Sequence, residues 1–217
     1  MRPYAVICAL NEAPTIGGVV AAAHMSGALS GVLVVDDGST DGTADVARAH
    51  GAHVLRFDRN QGKGQALRAG LASVSGDPVA MFDADLIGFR PDHVAALVDA
   101  SERGYDMVCG LREHGLIGNV VSLVLPLITG ERVLRRRVLA AIPPSCWSGY
   151  AIETAMNDAV KRIGGHVACV PMDGVTIRNK TKKVGVLDGT IRNIKMMWHI
   201  GSTSRSLRRS CGTTCER

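Results

Sequence analysis

Short runs that are apolar at every position alternate, along the first half of the chain, with longer stretches in which apolar residues recur every three or four positions. YAVICAL (4–10) reads as a strand, and a helix is expected from about Thr15 to Ser26. GVLVVD (31–36), HVLRF (53–57), PVAMFD (78–83) and YDMVCG (105–110) read as further strands. Between them, DGTADVARAHG, GKGQALRAGLASVSG and RPDHVAALVDASERG read as helices, the last with Pro91 in its first turn and Gly104 past its end. A strand with one wet face would alternate polar and apolar residues, and these do not. Strands that are apolar on both faces need cover on both, and the intervening helices supply it. The expected fold is α/β: a three-layer sandwich around a mostly parallel central sheet.

Beyond Gly110 the rhythm changes. A mixed apolar stretch (115–128) leads into GERVLRRRVLAAIP, read as one short helix that buries Val133, Leu134, Val138 and Leu139 and exposes its arginines. GYAIETAMNDAVKRIGG (149–165) reads as a helix, HVACVPM (166–172) as a strand and 188–204 as a final helix. No repeat or low-complexity linker interrupts this order. Residues 1–204 are therefore expected to form one domain with halves at 1–110 and 111–204, followed by a basic, flexible tail at 205–217.

Composition narrows the class. With 46% hydrophobic and 21% charged residues the chain can bury a core and is not a disordered one. The net charge of +5 is uneven: from Arg178 onward there are ten Lys/Arg against two acids, leaving the body mildly acidic. Such a segment can meet phosphates or a membrane surface. Its last dozen residues read most simply as a solvated tail, and no nucleic-acid partner is expected. Four of the six cysteines (Cys8, Cys109, Cys146, Cys169) sit in apolar runs, as reduced core cysteines of an intracellular protein do. Cys211 and Cys215 lack a second ligand pair, so no zinc site is expected there. The N-terminus shows no signal pattern, and the longest apolar candidate, GLIGNVVSLVLPLITG, is too short to span a bilayer and holds a proline. The expected location is cytoplasmic, at most peripheral to the inner face of a membrane.

Three polar clusters carry the chemistry. The first strand ends in Leu10-Asn11-Glu12, the second in DDGSTDGT (36–43) and the fourth in Asp83-Ala84-Asp85. In an open parallel sheet these ends share one edge, the edge at which ligands bind. NQGKGQALR adds Lys63 among glycines after the third strand. Carboxylates are hard ligands for Mg2+ or Mn2+, and a lysine is a point charge for phosphate, so the set suits a phosphorylated ligand with a divalent ion. Within DDGSTDGT, Thr40 and Asp41 serve a turn and helix start, whereas a turn does not need both Asp36 and Asp37.

At these residues a resemblance becomes explicit. ALNEAPTIGGVV, VVDDGSTDGTADVA, NQGKGQALRAGL and FDADL stand in the order and spacing of family 2 glycosyltransferases with the GT-A fold, over roughly residues 4–110. The resemblance implies that the backbone near Ala9, Leu10 and Asn11 and the side chains of Glu12 and Asp37 hold a nucleoside, with Asp37 facing the base. It implies that Lys63 lies near the base or diphosphate. Asp83-Ala84-Asp85 resembles the family's DxD motif, with Asp83 toward ribose and metal and Asp85 ligating a Mg2+ or Mn2+ that bridges the diphosphate. The first half would then bind the nucleotide sugar and the second half the acceptor.

LITGERVLRRRVLAAI followed by SGYAIETAM resembles two branches of this family, the polyprenyl- or dolichyl-phosphate sugar synthases and the glucosyl-3-phosphoglycerate synthase-like enzymes. Gly130, Glu131 and the GYxIE of Gly149–Glu153 lean toward the second. This points to Gly130, Glu131, Arg136 and Tyr150 on the acceptor side and to Glu153 beside the acceptor hydroxyl, its plain alternative being an exposed helix carboxylate. The second branch completes its metal site with the histidine of an HRN sequence, where this chain has Ile177 in TIRN. His199 or His166 are the remaining candidates for that ligand.

The implied activity is metal-dependent transfer of a sugar from a nucleoside diphosphate, uridine by resemblance, to a small phosphorylated or polyprenyl-phosphate acceptor. One alternative is a degenerate fold of this type kept as a nucleotide-sugar-binding module. Another is an aspartyl phosphatase, disfavoured because its D-x-D ends the first strand. Residues 116–128 cover the sheet, form a homodimer interface, or lie on a membrane that presents a lipid phosphate.

Overall fold

The computed structural model describes residues 2–112, 129–147 and 152–178. The apolar stretch 116–128, Tyr150, residues 188–204 with the helix expected there and His199, and residues 205–217 lie outside the described residues. The first half unfolds in strict alternation: β1 (Tyr4–Ala9), α1 (Ala13–Met25), β2 (Gly31–Asp36), α2 (Thr43–Ala49), β3 (His53–Arg56), α3 (Lys63–Ser73), β4 (Val79–Asp83). A two-residue strand β5 (Leu86–Ile87), α4 (Pro91–Glu102) and β6 (Met107–Arg112) follow. The second half contributes β7 (Arg132–Leu134), α5 (Arg136–Ala140), a 3-10 turn (Pro144–Trp147), α6 (Ile152–Arg162), β8 (Val167–Met172) and β9 (Thr176–Ile177).

The seven-stranded sheet runs β3-β2-β1-β4-β7-β6-β8. Its strands pair in parallel except β7, which is antiparallel to both β4 and β6. Alternate residues of each strand feed two cores. Ala5, Ile7, Val32 and Val34 face α1, α2 and α4, while Val6, Leu33, Val35 and Met81 face α3, α5 and α6. This explains the unbroken apolar runs. Helix α3 lies so close to the sheet that a Cβ on Gly70 would stand 2.6 Å from Val6 Cγ1 and 2.8 Å from Val35 Cγ2. Gly70→Val should therefore destabilise the fold by about 1–3 kcal/mol through overpacking, read from denaturant unfolding at an unchanged m-value.

The helix expected over GERVLRRRVLAAIP is in fact two elements. Residues 132–134 close the gap between β4 and β6, with Leu134 opposite both Val79 and Met107, and only Arg136–Ala140 is helical. A three-residue strand is too short to show a period. Its burial also removes Arg132 from the exposed face expected for it. The side chain is fully buried, and its guanidinium donates to the Thr129 carbonyl and to Asn157 Oδ1, each at 2.8 Å.

At the edge opposite the strand ends that concern function, Asp106 ties β6, β8 and α5 together. Its buried carboxylate accepts from Arg137 and from the His166 backbone N–H at 2.9 Å, and its carbonyl accepts from Arg135 N at 2.8 Å. The Arg137 hydrogen bond holds the Asp106 carboxyl below the usual carboxylate range. A depressed pKa contributes stability above the ordinary carboxylate value, lost as pH falls through the folded-state value. Asp106→Asn should cost about 1–3 kcal/mol at neutral pH and flatten the acid limb of the stability curve, measured by urea unfolding across pH.

Candidate active site

The parallel strands β1, β2, β4 and β6 end, and the antiparallel β7 begins, on one edge of the sheet. Two of the predicted clusters lock together there. Asn11, in the left-handed region at φ 56°, donates its backbone N–H to Ser39 Oγ and accepts from Thr40 N through Oδ1, both at 2.9 Å. Glu12 N donates to Thr43 Oγ1 at 2.9 Å, and Ala13 N to Asp41 Oδ2 at 3.2 Å. Asp36 is fully buried and takes Ser39 N at 2.9 Å, so it belongs to the turn. Asp37 is also buried, and its two oxygens accept Gln61 N at 2.7 Å and Gly62 N at 2.9 Å. It therefore serves the site through the loop it holds, which delivers Lys63 at the first turn of α3. Gly38 makes that loop contact possible: at φ 79°, its missing Cβ would lie 2.7 Å from the Arg59 backbone.

The other wall is a chain of alternating charge. Lys63 Nζ donates to Asp83 Oδ1 at 2.7 Å and to Glu153 Oε1 at 2.6 Å. Arg112 Nη1 lies 4.0 Å from Asp83 Oδ2 and 3.5 Å from Glu131 Oε1. Beneath Lys63 is an apolar floor of Val6, Leu67, Met81, Ile152 and Met156, which strengthens these interactions. Burial works to lower the Lys63 pKa, but Asp83 and Glu153 outweigh it and hold the ammonium charged well above the ordinary lysine value. Burial pushes Glu131 up to about 7, with Asp83 adding to the rise and Arg112 opposing it. Burial likewise pushes the Cys8 thiol up to about 12, so this pocket cysteine is no nucleophile.

The structure thus brings Asn11, Glu12, Asp37, Lys63, Asp83, Asp85, Gly130 and Glu153 to one edge and places Glu131, Ala9, Ala84 and Arg136 differently. Glu153 is buried against Lys63 and is not an exposed helix carboxylate. Glu131 is fully buried behind Gly130 and bears on the site through Arg112 without reaching the surface. Ala9 and Ala84 bury their methyl groups in the core and can offer a ligand only backbone, beside the half-buried Leu10. Arg136 is a correction: its guanidinium donates to the Gly76 carbonyl at 2.6 Å and its N–H to Asp77 at 2.8 Å, at the start of β4 and away from Asp83. There it satisfies carbonyls at the end of α3.

Arg112 and Arg178 also reach this edge, though no motif marks them. The strand expected at 105–110 runs on to Arg112, and a basic residue ending an apolar strand is the sequence signal for it. Arg112 Nε and Nη1 are buried with no hydrogen-bond partner among the described residues. Arg178 reaches Glu12 Oε2 at 3.8 Å, and its N–H donates to the Asp85 carbonyl at 2.8 Å.

A divalent ion fits this edge in one manner. Among the described residues no three His, Cys, Asp or Glu side chains converge as a protein-only metal cage. Asp83 and Asp85 supply two hard carboxylates, and Gly130 makes room for the first, since a Cβ there would stand 2.1 Å from Asp83 Oδ1. That donor set suits a Mg2+-like ion completed by substrate phosphates. Ile177, opposite Leu86 in the β5–β9 ladder, offers no ligand beside Asp85. His166 is excluded as a substitute, because it sits at the far end of β8, next to Asp106.

Residues 4–147 match the sequence profile described as Glycosyl transferase family 2. The chain belongs to that family. Its relatives include the undecaprenyl-phosphate 4-deoxy-4-formamido-L-arabinose transferase of Klebsiella pneumoniae (strain 342), 37% identical over 89 residues, which are 38% of this chain and 27% of that protein. The Enterobacter sp. (strain 638) protein of the same name is 34% identical over 119 residues, covering 50% of this chain and 36% of the relative. The chain thus spans about a third of the length of these curated relatives.

Solved structures of glucosyl-3-phosphoglycerate synthase from Mycobacterium tuberculosis share the fold of this family 2 chain. The complex with Mn2+, uridine diphosphate and glucosyl-3-phosphoglycerate gives a TM-score of 0.69 at 30% identity, over 82% of this chain and 72% of that one. The complex with Mg2+ and uridine diphosphate gives 0.70 at 29% identity, with the same coverage. The fold is accordingly GT-A, as the order of motifs implied, and the phosphatase alternative falls.

Proposed function

We propose that this chain transfers a sugar from a nucleoside diphosphate, uridine diphosphate in the first instance, to a hydroxyl or phosphate of an acceptor that carries an anionic group. The observation that carries this reading is Lys63 bridging Asp83 and Glu153 on the ligand edge of the sheet, with Arg112 Nη1 4.0 Å from Asp83 Oδ2 and Asp85 two residues further along the chain. Glu12 and the Asp37-held loop form the nucleoside side. Asp83 and Asp85 would hold a Mg2+ or Mn2+ that, when bound, stabilises the charge left on the diphosphate as a Lewis acid. Lys63 adds a cation to the same charge. Glu153 faces the acceptor, where its carboxylate accepts a hydrogen bond from the attacking hydroxyl and orients it. Arg112, whose Nη1 lies 4.0 Å from Asp83 Oδ2, places a cation on the same edge for an acceptor phosphate or carboxylate.

Two acceptor types fit an anion beside Arg112. The solved neighbours, which cover 82% of the chain, support a small phosphorylated acid such as phosphoglycerate. The curated relatives, named for undecaprenyl phosphate, support a polyprenyl phosphate. Among the described residues no helix is long and apolar enough to cross a membrane. Incubating the chain and Mn2+ with UDP-glucose and either 3-phosphoglycerate or undecaprenyl phosphate in vesicles separates the two. Sugar should appear on one acceptor and vanish with EDTA. Transfer to neither across a panel of UDP- and GDP-sugars, with no thermal shift from any donor, would overturn the reading. A donor present a hundredfold above its Kd adds about 2.7 kcal/mol, a shift of several degrees for a chain of this size.

A further inference from the structure

β8 reads VACVPM, six residues without a polar side chain, and a strand of that composition is one covered on both faces. The structure covers one of them. Ala168, Val170 and Met172 pack into the core that lies against α1 and α4. Val167, Cys169 and Pro171 stand beside Met107, Cys109 and Leu111 of β6 and continue their row. Met107 and Cys109 are buried in the core shared with α6, yet Val167 is 39% exposed, and Cys169 and Pro171 are exposed too. We propose that the segment holding the helix expected at 188–204 docks on this face, with Leu187, Ile191, Ile194 and Trp198 covering Val167, Cys169 and Pro171.

β8 is the outermost strand, so its free edge is open to pairing as well as its face. Pairing is the poorer use of it. The His166 carbonyl accepts from Asp106 N and Met107 N, so Ala168 and Val170 also turn their backbone groups toward β6. Val167, Cys169 and Pro171 turn theirs outward, and Pro171 has no N–H to give, which suits an edge strand left unpaired. The face calls for a helix, since helices cover the same side of the sheet over its inner strands. Of the two apolar stretches outside the described residues, 116–128 contains no charged residue with which to face water from such a position. In 187–198, by contrast, Leu187, Ile191, Ile194 and Trp198 recur at i, i+4, i+7 and i+11 as one stripe, and Asp188, Arg192 and Asn193 lie off it. The reach is sufficient. Arg178 N is bonded to the Asp85 carbonyl beyond the end of β4, three places from β8 in the sheet order. Three strand spacings are about 15 Å, and residues 179–186 span up to roughly 26 Å when extended.

Cys169 reports the contact directly. The full chain is labelled with N-ethylmaleimide, and each cysteine is followed by peptide mass spectrometry in wild type, in Ile191→Asp/Ile194→Asp and in the milder Ile194→Ala. Wild-type Cys169 should react roughly tenfold more slowly than in the double variant, at a rate independent of protein concentration, with Ile194→Ala in between. Cys109, fully buried in the core, should stay protected in all three and so reports that the sheet is intact. If the double variant loses that protection, Ile194→Ala carries the comparison. Cys169 that reacts equally fast in wild type and variants would show the face uncovered and overturn the proposal. Protection that survives in the variants would assign the cover to another segment, and protection found only at high protein concentration would assign it to a second copy; either result overturns it.

Discussion

Asp85→Ala is expected to lose roughly hundredfold in UDP affinity in the presence of Mn2+ while keeping its fold, and to bind UDP no better with Mn2+ than with EDTA. The half-buried Asp85 sits between two residues that do the packing, Ala84 and Leu86, each 4% exposed, so the side chain is dispensable to the core. Its carbonyl, which accepts from Arg178 N at 2.8 Å, survives the substitution. What disappears is one of the two carboxylates available to a shared ion, and an ion held by Asp83 alone has Lys63 at 2.7 Å as its competitor. Isothermal titration of UDP into both proteins, with Mn2+ and with EDTA, gives the comparison. A metal-dependent affinity unchanged by the substitution would remove Asp85 from the donor site.

Gly130→Ala is expected to be nearly as damaging, for a steric reason. The new Cβ would stand 2.1 Å from Asp83 Oδ1 and 2.3 Å from its Cγ, so the carboxylate has to move by about an ångström. Displacements of that size at reacting groups cost on the order of a hundredfold in rate. Gly130 has no left-handed φ that alanine would strain, and the substitution should move the melting temperature little. Donor turnover should fall roughly hundredfold, with Mn2+-dependent UDP binding weakened in parallel. A fully active Gly130→Ala enzyme would show that Asp83 is not held against Gly130 during the reaction.

Much of this architecture is legible in residue types alone. Unbroken apolar runs ending in Glu12, Asp37 and Asp83 announce a two-faced parallel sheet and its ligand edge, because both features depend on local composition. The second half resists the same reading for reasons that are physical. Arg132–Leu134 is too short to show a strand period, and its burial comes from β4 and β6, far away in sequence. Arg136 follows Glu131 by five residues but points to the end of α3, a direction that only tertiary packing decides. For Glu153 the sequence leaves an acceptor-side role and an exposed helix carboxylate both open, and only the contact with Lys63, ninety residues earlier, shows that it is not exposed. Asp37 shows the converse: its place at the ligand edge of the sheet is evident from sequence, whereas its grip on Gln61 and Gly62 is not.

The central claim is that a nucleoside diphosphate and a divalent ion meet at the carboxyl edge between Asp83 and Asp85. A crystal of the chain grown with UDP and Mn2+, measured at the manganese absorption edge, tests it most directly. One anomalous peak beside the diphosphate, with Asp83 or Asp85 among the residues that hold it, is the expected result. UDP bound away from this edge, or manganese bound with neither aspartate as a ligand, would contradict it.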